Sequence, residues 1–186
     1  MEKEYKMYFA NSLFNEADRD YNIKVVNMIK ERFGDVLDLY VPQLNDSIND
    51  KSNFADAQMI ADADYVELCN SDFLLAIIDS QDVGVGLEIG IMYEQGKQIV
   101  GLYTDVRQFG ADNQDKLEAL KSIGQNQFSY SNLMQTGLIM NNGFLVNNTD
   151  DLLDSIQLMI EKERKEDKEL DEWLASIGAE LLEENE

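Results

Sequence analysis

The sequence has no histidine at all, and only one cysteine and one proline among its 186 residues. Without histidine, neither the common zinc constellations nor a Ser-His-Asp triad can be assembled. The lone thiol, Cys69, leaves no internal disulfide framework. Basic residues are scarce too: 15 Lys and Arg stand against 37 Asp and Glu, for a formal net charge of −22. Nucleic-acid affinity comes largely from Lys and Arg neutralising phosphates, so the composition argues against a DNA or RNA polymer as partner. Long apolar runs are missing as well. Phe73 to Ile78 is among the longest, far below the ~20 residues a membrane-spanning helix needs. The first residues, Met1 to Lys6, lead into a strand-like run without the apolar stretch and cleavage site of a signal peptide. The expectation is a soluble, cytoplasmic protein without a membrane anchor, whose acid–base chemistry rests on carboxylates.

What is present suits one globular core. With 44% hydrophobic residues the chain can close a single domain of ordinary size. Eleven of the 37 acidic residues fall in the last 26 positions, which reads as a solvated run rather than a field at a site. The expected organisation is a domain over 1–160 and an acidic helical tail over 161–186.

Met7 to Ala10 reads as a short buried strand, followed by Asn11-Ser12 and a helix in which Ile23, Val26, Ile29 and Phe33 recur at helical spacing. Val36 to Val41 is a second strand, ended by Pro42 and a polar loop. A helix over Ala57 to Leu68 precedes the unbroken apolar run Phe73 to Ile78, which suits a strand covered on both faces. A helix reaching Glu94 and a strand over Gln98 to Tyr103 follow. This alternation predicts an α/β protein, a parallel sheet flanked by helices. In such sheets ligands sit beyond the carboxyl ends of the strands, so the loops after Ala10, Val41 and Ile78 should share one cleft. Asp115 to Ile123 is a candidate helix, and Phe128 to Ile139 reads as an ordered, partly apolar loop. Phe144 to Val146 offers a last strand. Asn148 or Thr149 then caps a helix with an apolar stripe of Leu152, Leu153, Ile156, Met159 and Ile160. Beyond Glu161, Leu170, Trp173, Leu174, Ile177 and Leu181 mark an amphipathic appendage, docking on the body or on another subunit.

The chemistry concentrates in Asp82-Val83-Gly84-Val85-Gly86-Leu87-Glu88-Ile89-Gly90. Its glycines let the backbone come close to a ligand, one carboxylate opens the loop, and a second sits where the next helix starts. The spacing is G-x-G-x-x-x-G rather than the G-x-G-x-x-G of a dinucleotide fingerprint, so that signal is weak. Spacing alone fits equally a tight turn in which Glu88 merely complements the helix dipole.

The order Tyr8-Phe9-Ala10-Asn11-Ser12-Leu13-Phe14, Asp64, Asp72, Asp82-x-Gly-x-Gly-x-Glu88-x-Gly and Asn132-Leu133-Met134 tips that balance. Together these segments resemble the nucleoside 2-deoxyribosyltransferase family, from about Tyr8 to Met134 and most strongly from Asp64 to Gly90. The resemblance implies a flavodoxin-like fold and an enzyme acting on 2'-deoxynucleosides and free purine or pyrimidine bases. Glu88 matches the nucleophile that attacks C1' of the deoxyribose, Tyr8 a tyrosine orienting it, and Asp64 and Asp82 aspartates that contact base and sugar. Asp62 competes with Asp64 for the alignment. Gln43 or Asn45 would read the edge of the base, Gly84 and Gly86 lie against the substrate, and Phe14 would stack on the base. Phe9 is a second stacking candidate that equally suits core packing. Asn132 and Met134 resemble a segment donated by a neighbouring subunit, which implies a homo-oligomer. No metal or organic cofactor is expected, because Glu88 supplies the covalent step.

Two rivals share the fold. One hydrolyses the N-glycosidic bond of deoxynucleoside 5'-monophosphates, which requires phosphate donors that Asn11 to Glu16 lacks. The other is a noncatalytic nucleotide-sensing module, which has no need of a carboxylate beneath C1'.

Overall fold

A computed structural model of the chain describes residues 5–49, 54–106, 113–115, 118 and 131–183, and of residues 48 and 177–183 the backbone alone. In chain order the elements are β1 (Tyr5–Ala10), α1 (Glu16–Phe33), β2 (Leu37–Tyr40), a 3-10 turn (Pro42–Leu44), α2 (Asp46–Asn49), α3 (Ala57–Asn70), β3 (Phe73–Ile77), α4 (Val83–Glu94), β4 (Gln98–Leu102), α5 (Leu133–Asn142), β5 (Gly143–Val146) and α6 (Thr149–Glu183). The five strands form one sheet in the order β2-β1-β3-β4-β5, all pairings parallel. This is the doubly wound, flavodoxin-like order, in which the chain reverses direction across the sheet between β1 and β3.

Strand alternation distributes the core. Tyr5, Met7 and Phe9 of β1 face α1 and α6, packing with Val25, Val26, Ile29, Phe33, Ile156 and Met159. Tyr8 and Ala10 point the other way, toward Leu68 of α3, Val85, Ile89 and Met92 of α4, and Ile139 of α5. Every residue of β3 is buried, as befits a central strand sandwiched between helical layers. Phe9 is thereby assigned to the core. At the carboxyl edge Asp79 accepts hydrogen bonds from Thr104 N at 2.7 Å and Thr104 Oγ1 at 3.0 Å, tying the end of β3 to that of β4.

The segment expected as a loop up to Ile139 is instead helical from Leu133. Asn132 caps it, its side-chain oxygen accepting from Met134 N at 3.0 Å and Gln135 N at 3.2 Å. Only Thr136 and Ile139 of this helix are buried, a stripe too narrow to register as periodicity, and Gly137 sits in its middle. The helix expected over Asp115 to Ile123 lies outside the described residues, save for Asp115 and Glu118, both helical. At α6 the cap is Asn148, whose Oδ1 accepts from Asp151 N at 2.8 Å. This helix passes Glu161 without a break and runs for 35 residues. Tyr5 Oη donates to Asp167 Oδ2 at 3.0 Å, and beyond that contact the helix is solvent-exposed through Ser176, with Trp173 58% exposed. Among the described residues no helix is long and apolar enough to cross a membrane.

Two glycines in this region behave oppositely. A Cβ on Gly143 would overlap the main-chain carbonyl of Ile99, its register partner on β4, and backbone cannot yield without breaking the pairing. A Cβ on Gly137 meets nothing within 4 Å. Gly143→Ala should therefore destabilise the protein severely. Gly137→Ala should raise the melting temperature by ~2–4 °C, the worth of the ~1 kcal/mol helix-propensity gain. Calorimetric scans of the two variants check this, and equal melting shifts would contradict the β4–β5 register.

Candidate active site

Tyr8 and Tyr40 are register partners at the carboxyl ends of β1 and β2, their rings 5.2 Å apart and tilted by 39°. From the opposite helical layer Glu88 reaches back to the sheet, and Tyr8 Oη donates to Glu88 Oε1 at 2.8 Å. A cavity of about 410 Å³ opens over this pair, lined by Asp62, Asp64, Tyr65, Leu68, Gly84, Leu87 and Glu88 among others. Three carboxylates thus share one small space with apolar walls and no basic side chain among the lining residues.

The start of α4 is built around Asp82. Its Oδ1 accepts from Gly84 N at 2.8 Å and Val85 N at 3.3 Å, an N-cap that fixes where the helix begins and hence where Glu88 falls. A Cβ on Gly84 would lie 2.9 Å from that same oxygen, so glycine lets the carboxylate fold onto the helix start. Gly86 serves a different neighbour: a Cβ there would lie 2.7 Å from Gln135 Nε2, so its absence lets α5 press against α4.

Burial raises the Glu88 carboxyl from its ordinary 4.5 to about 7, against the opposing hydrogen bond from Tyr8 and with added repulsion from Asp64 and Asp82. Asp64 is also raised, chiefly by burial and further by Glu67, while the phenols of Tyr8 and Tyr40 hold it back. Tyr8 is pushed far above the usual phenol range by burial and by the neighbouring carboxylates, so it stays a proton donor. Of the two rivals for the base-contacting aspartate, Asp64 is half-buried against this cluster, whereas Asp62 is exposed at the cavity wall.

The remaining candidates lie at varied distances from this centre. Gln43 is buried, its Oε1 accepting from Asn22 Nδ2 at 2.9 Å and its Nε2 donating to the Arg19 carbonyl at 3.1 Å. Its amide thus locks the turn after β2 onto α1. Asn45 donates from Nδ2 to Tyr40 Oη at 2.9 Å. Phe14 is 81% exposed after β1, and Met134 is 74% exposed at the first turn of α5, beside the capping Asn132. Asp72 accepts from Lys6 N at 2.9 Å, stitching β3 to β1. Residue-level sequence reasoning passed over Tyr40, Tyr65 and Leu87, which shape the site. Tyr40 could have been found by aligning the ends of the first two strands, which sets it beside Tyr8.

The elevated Glu88 carboxyl has a thermodynamic signature. Between about 4.5 and about 7 the folded protein keeps a proton that the unfolded chain has released, so stability falls as pH rises through that window and the loss is complete above it. The cost at high pH is at most ~3 kcal/mol. Glu88→Gln should therefore melt several degrees above the parent at pH 8, with the gap closing below pH 4.5. Thermal melts of both proteins across this range would reject a desolvated carboxylate if the gap were independent of pH.

Comparison with known proteins now bears on this geometry. Among curated proteins none matches the chain. Among solved structures, a conserved protein from Enterococcus faecalis V583 is 48% identical, covers 83% of this chain and 98% of its own length, and superposes with a TM-score of 0.70. The 2-deoxyribosyltransferase of the psychrotolerant bacterium Bacillus psychrosaccharolyticus shares the fold, at 17% identity, coverage of 80% and 90% of the two chains, and a TM-score of 0.51. A CMP N-glycosidase from Clostridium botulinum matches at 14% identity, covering 82% and 98%, with a TM-score of 0.47. The family described as nucleoside 2-deoxyribosyltransferase matches residues 7–166, nearly the whole sheet and the helices around it, and the chain belongs to that family.

Proposed function

We propose that this protein transfers the 2-deoxyribosyl group of a 2'-deoxynucleoside to another purine or pyrimidine base, through a covalent ester on Glu88 and with retention of configuration. The observation that carries this reading is Glu88 itself: a carboxylate at the wall of a small cavity, held by Tyr8 at 2.8 Å, with a second carboxyl, Asp64, raised by burial, lining the same cavity.

In the first half-reaction a Glu88 carboxylate oxygen bonds to C1' as the bond from C1' to the base nitrogen breaks. The departing electron pair stays on the base, which takes a proton from Asp64. Positive charge on the anomeric carbon is stabilised by the surrounding carboxylates before the ester captures it. In the second half-reaction the nitrogen of an incoming base attacks C1' from the opposite side. The Glu88 carboxylate leaves, and the surplus proton returns to Asp64. Two inversions restore the original configuration. Tyr8 keeps Glu88 aimed and, by donating its proton, keeps part of the population ionised near neutral pH.

The charge of the cavity favours a neutral nucleoside over a nucleotide. A 5'-phosphate would meet Asp62, Asp64 and Glu88 without a cation among the lining residues. Exposed apolar side chains near the site, Val83, Leu87, Leu133 and Met134, support a homo-oligomer in which a second copy covers the opening. In that arrangement Met134 and Asn132 would contribute across the subunit boundary, Phe14 would stack on the base, and Asn45 would act through Tyr40.

The decisive assay incubates the protein with 2'-deoxyinosine or 2'-deoxyuridine, with and without adenine, and separates the products by chromatography. New 2'-deoxyadenosine only in the presence of adenine is the expected result, and Glu88→Ala should reduce its formation about a thousandfold or more. Release of free base at one rate with or without acceptor would convert the reading to a hydrolase. No turnover of either nucleosides or deoxynucleoside monophosphates would leave a binding module.

A further inference from the structure

A phenol has one proton to give, and the 2.8 Å contact commits that of Tyr8 to Glu88. Asp64, on which Tyr8 also acts, therefore needs a second donor. Its Oδ1 is buried and has no hydrogen-bond partner among the described residues. On the other side of the gap stands Tyr40, whose hydroxyl is in the complementary condition. Asn45 Oδ1 accepts from Ser47 N at 3.1 Å and from Ser47 Oγ at 2.6 Å, which fixes the orientation of the amide. Its NH2 must then face Tyr40 Oη, at 2.9 Å. Tyr40 therefore accepts from Asn45 and keeps its own proton for Asp64, its other side-chain partner. A phenol with a proton to give and a carboxyl with one buried, unpartnered oxygen are thus neighbours.

We propose that Tyr40, oriented by Asn45, is a positioning residue that turns its phenolic proton onto the Asp64 carboxylate, so that two neighbouring tyrosines divide the work: Tyr8 serves Glu88 and Tyr40 serves Asp64. The effect is a specific one. Asp64 must hold a proton to release the first base and must give it up readily enough to take another from the second. Burial and the nearby Glu67 and Glu88 favour the protonated form, and the Tyr40 proton offsets them by favouring the carboxylate. Every charged or titratable neighbour pulls in a known direction. Tyr8 and Tyr40 from β1 and β2 favour ionisation, and Glu67 on the same helix opposes it. Glu67 is itself ion-paired to Lys6 of β1, whose ammonium also lies 5.8 Å above the Tyr40 ring. Glu88 of α4 opposes ionisation across the cavity, which Asp62 also lines.

This inference rests on the acid–base role given to Asp64 above, and its test is chosen to stand apart from turnover. Carboxyl ¹³C resonances of the full chain, labelled at aspartate and glutamate, are followed against pH, with Asp64→Asn and Glu88→Gln identifying the two signals. In Tyr40→Phe, and to a smaller extent in Asn45→Ala, the Asp64 titration should move to higher pH, by more than the titration of its electrostatic neighbour Glu88 moves. In the transfer assay the same variants should lose about tenfold in kcat with KM nearly unchanged. The limb of the pH profile set by Asp64 should move to higher pH, by more than the other limb moves. An Asp64 titration unmoved in both variants, with native backbone spectra, overturns the proposal whether or not the protein turns over nucleosides. A shifted titration in a protein that transfers no deoxyribose keeps the Tyr40–Asp64 pairing and removes only the reaction built on it.

Discussion

The hydrogen bond from Tyr8 Oη to Glu88 Oε1 joins the centre of the sheet to the second turn of α4, and the rest of the site is arranged so that this contact forms. Tyr8 reaches it because β1 alternates, sending residues 5, 7 and 9 to one helical layer and residue 8 to the other. Glu88 reaches it because Asp82 sets the first residue of α4, which places position 88 one turn further on and facing inward. Shift the cap by one residue and Glu88 rotates by about 100° around the helix, away from the sheet. A site carried by a central strand and a capped helix is held by the packing of the whole domain.

That rigidity has an electrostatic consequence. Glu88 and Asp64 line one cavity in a protein of net charge −22, with burial adding to the repulsion between them. Such a cluster is a poor investment for stability, because desolvated carboxylates without cations raise the energy of the folded state at neutral pH. It is well suited to a reaction whose transition state carries positive charge on carbon. The field that makes Glu88 reluctant to ionise in the empty site is the field that stabilises an oxocarbenium-like centre when one forms. Strain of this kind is tolerated because the fully buried β3 and the two apolar layers carry the fold.

Much of this architecture was legible in the residues. The run from Phe73 and the alternating strands and helices announce a parallel sheet, and the glycine–glutamate segment announces the site, because both depend on local pattern. What escaped depends on tertiary context. Helix α5 buries only Thr136 and Ile139 and holds a glycine, so its apolar periodicity is too faint to read, and its cap is recognisable only once the helix is known. Gln43 and Asn45 are equivalent as text, two amides just after Pro42. The fold separates them: the side chain of Gln43 turns inward to Asn22 and Arg19, while Asn45 meets Tyr40. Tyr40 went unremarked because an aromatic at a strand end is ordinary, and only the β1–β2 register shows that it stands beside Tyr8.

The same logic explains why the site needs two tyrosines rather than one. In the proposed mechanism a carboxylate nucleophile and a carboxylic acid that exchanges protons with the base make opposite demands on their surroundings, one to be kept ionised and the other to be kept partly protonated. A single phenol shared between Glu88 and Asp64 would couple them, since each proton it gave to one would be withdrawn from the other. Phenols on adjacent strands, with rings 5.2 Å apart, give Asp64 a donor beyond the one it shares with Glu88, while burial acts on both carboxyls. Parallel pairing supplies the arrangement directly, because register partners on neighbouring strands project to the same face. The proposed division of labour between nucleophile and acid would thus depend on the β1–β2 pairing as much as on the loop that carries Glu88.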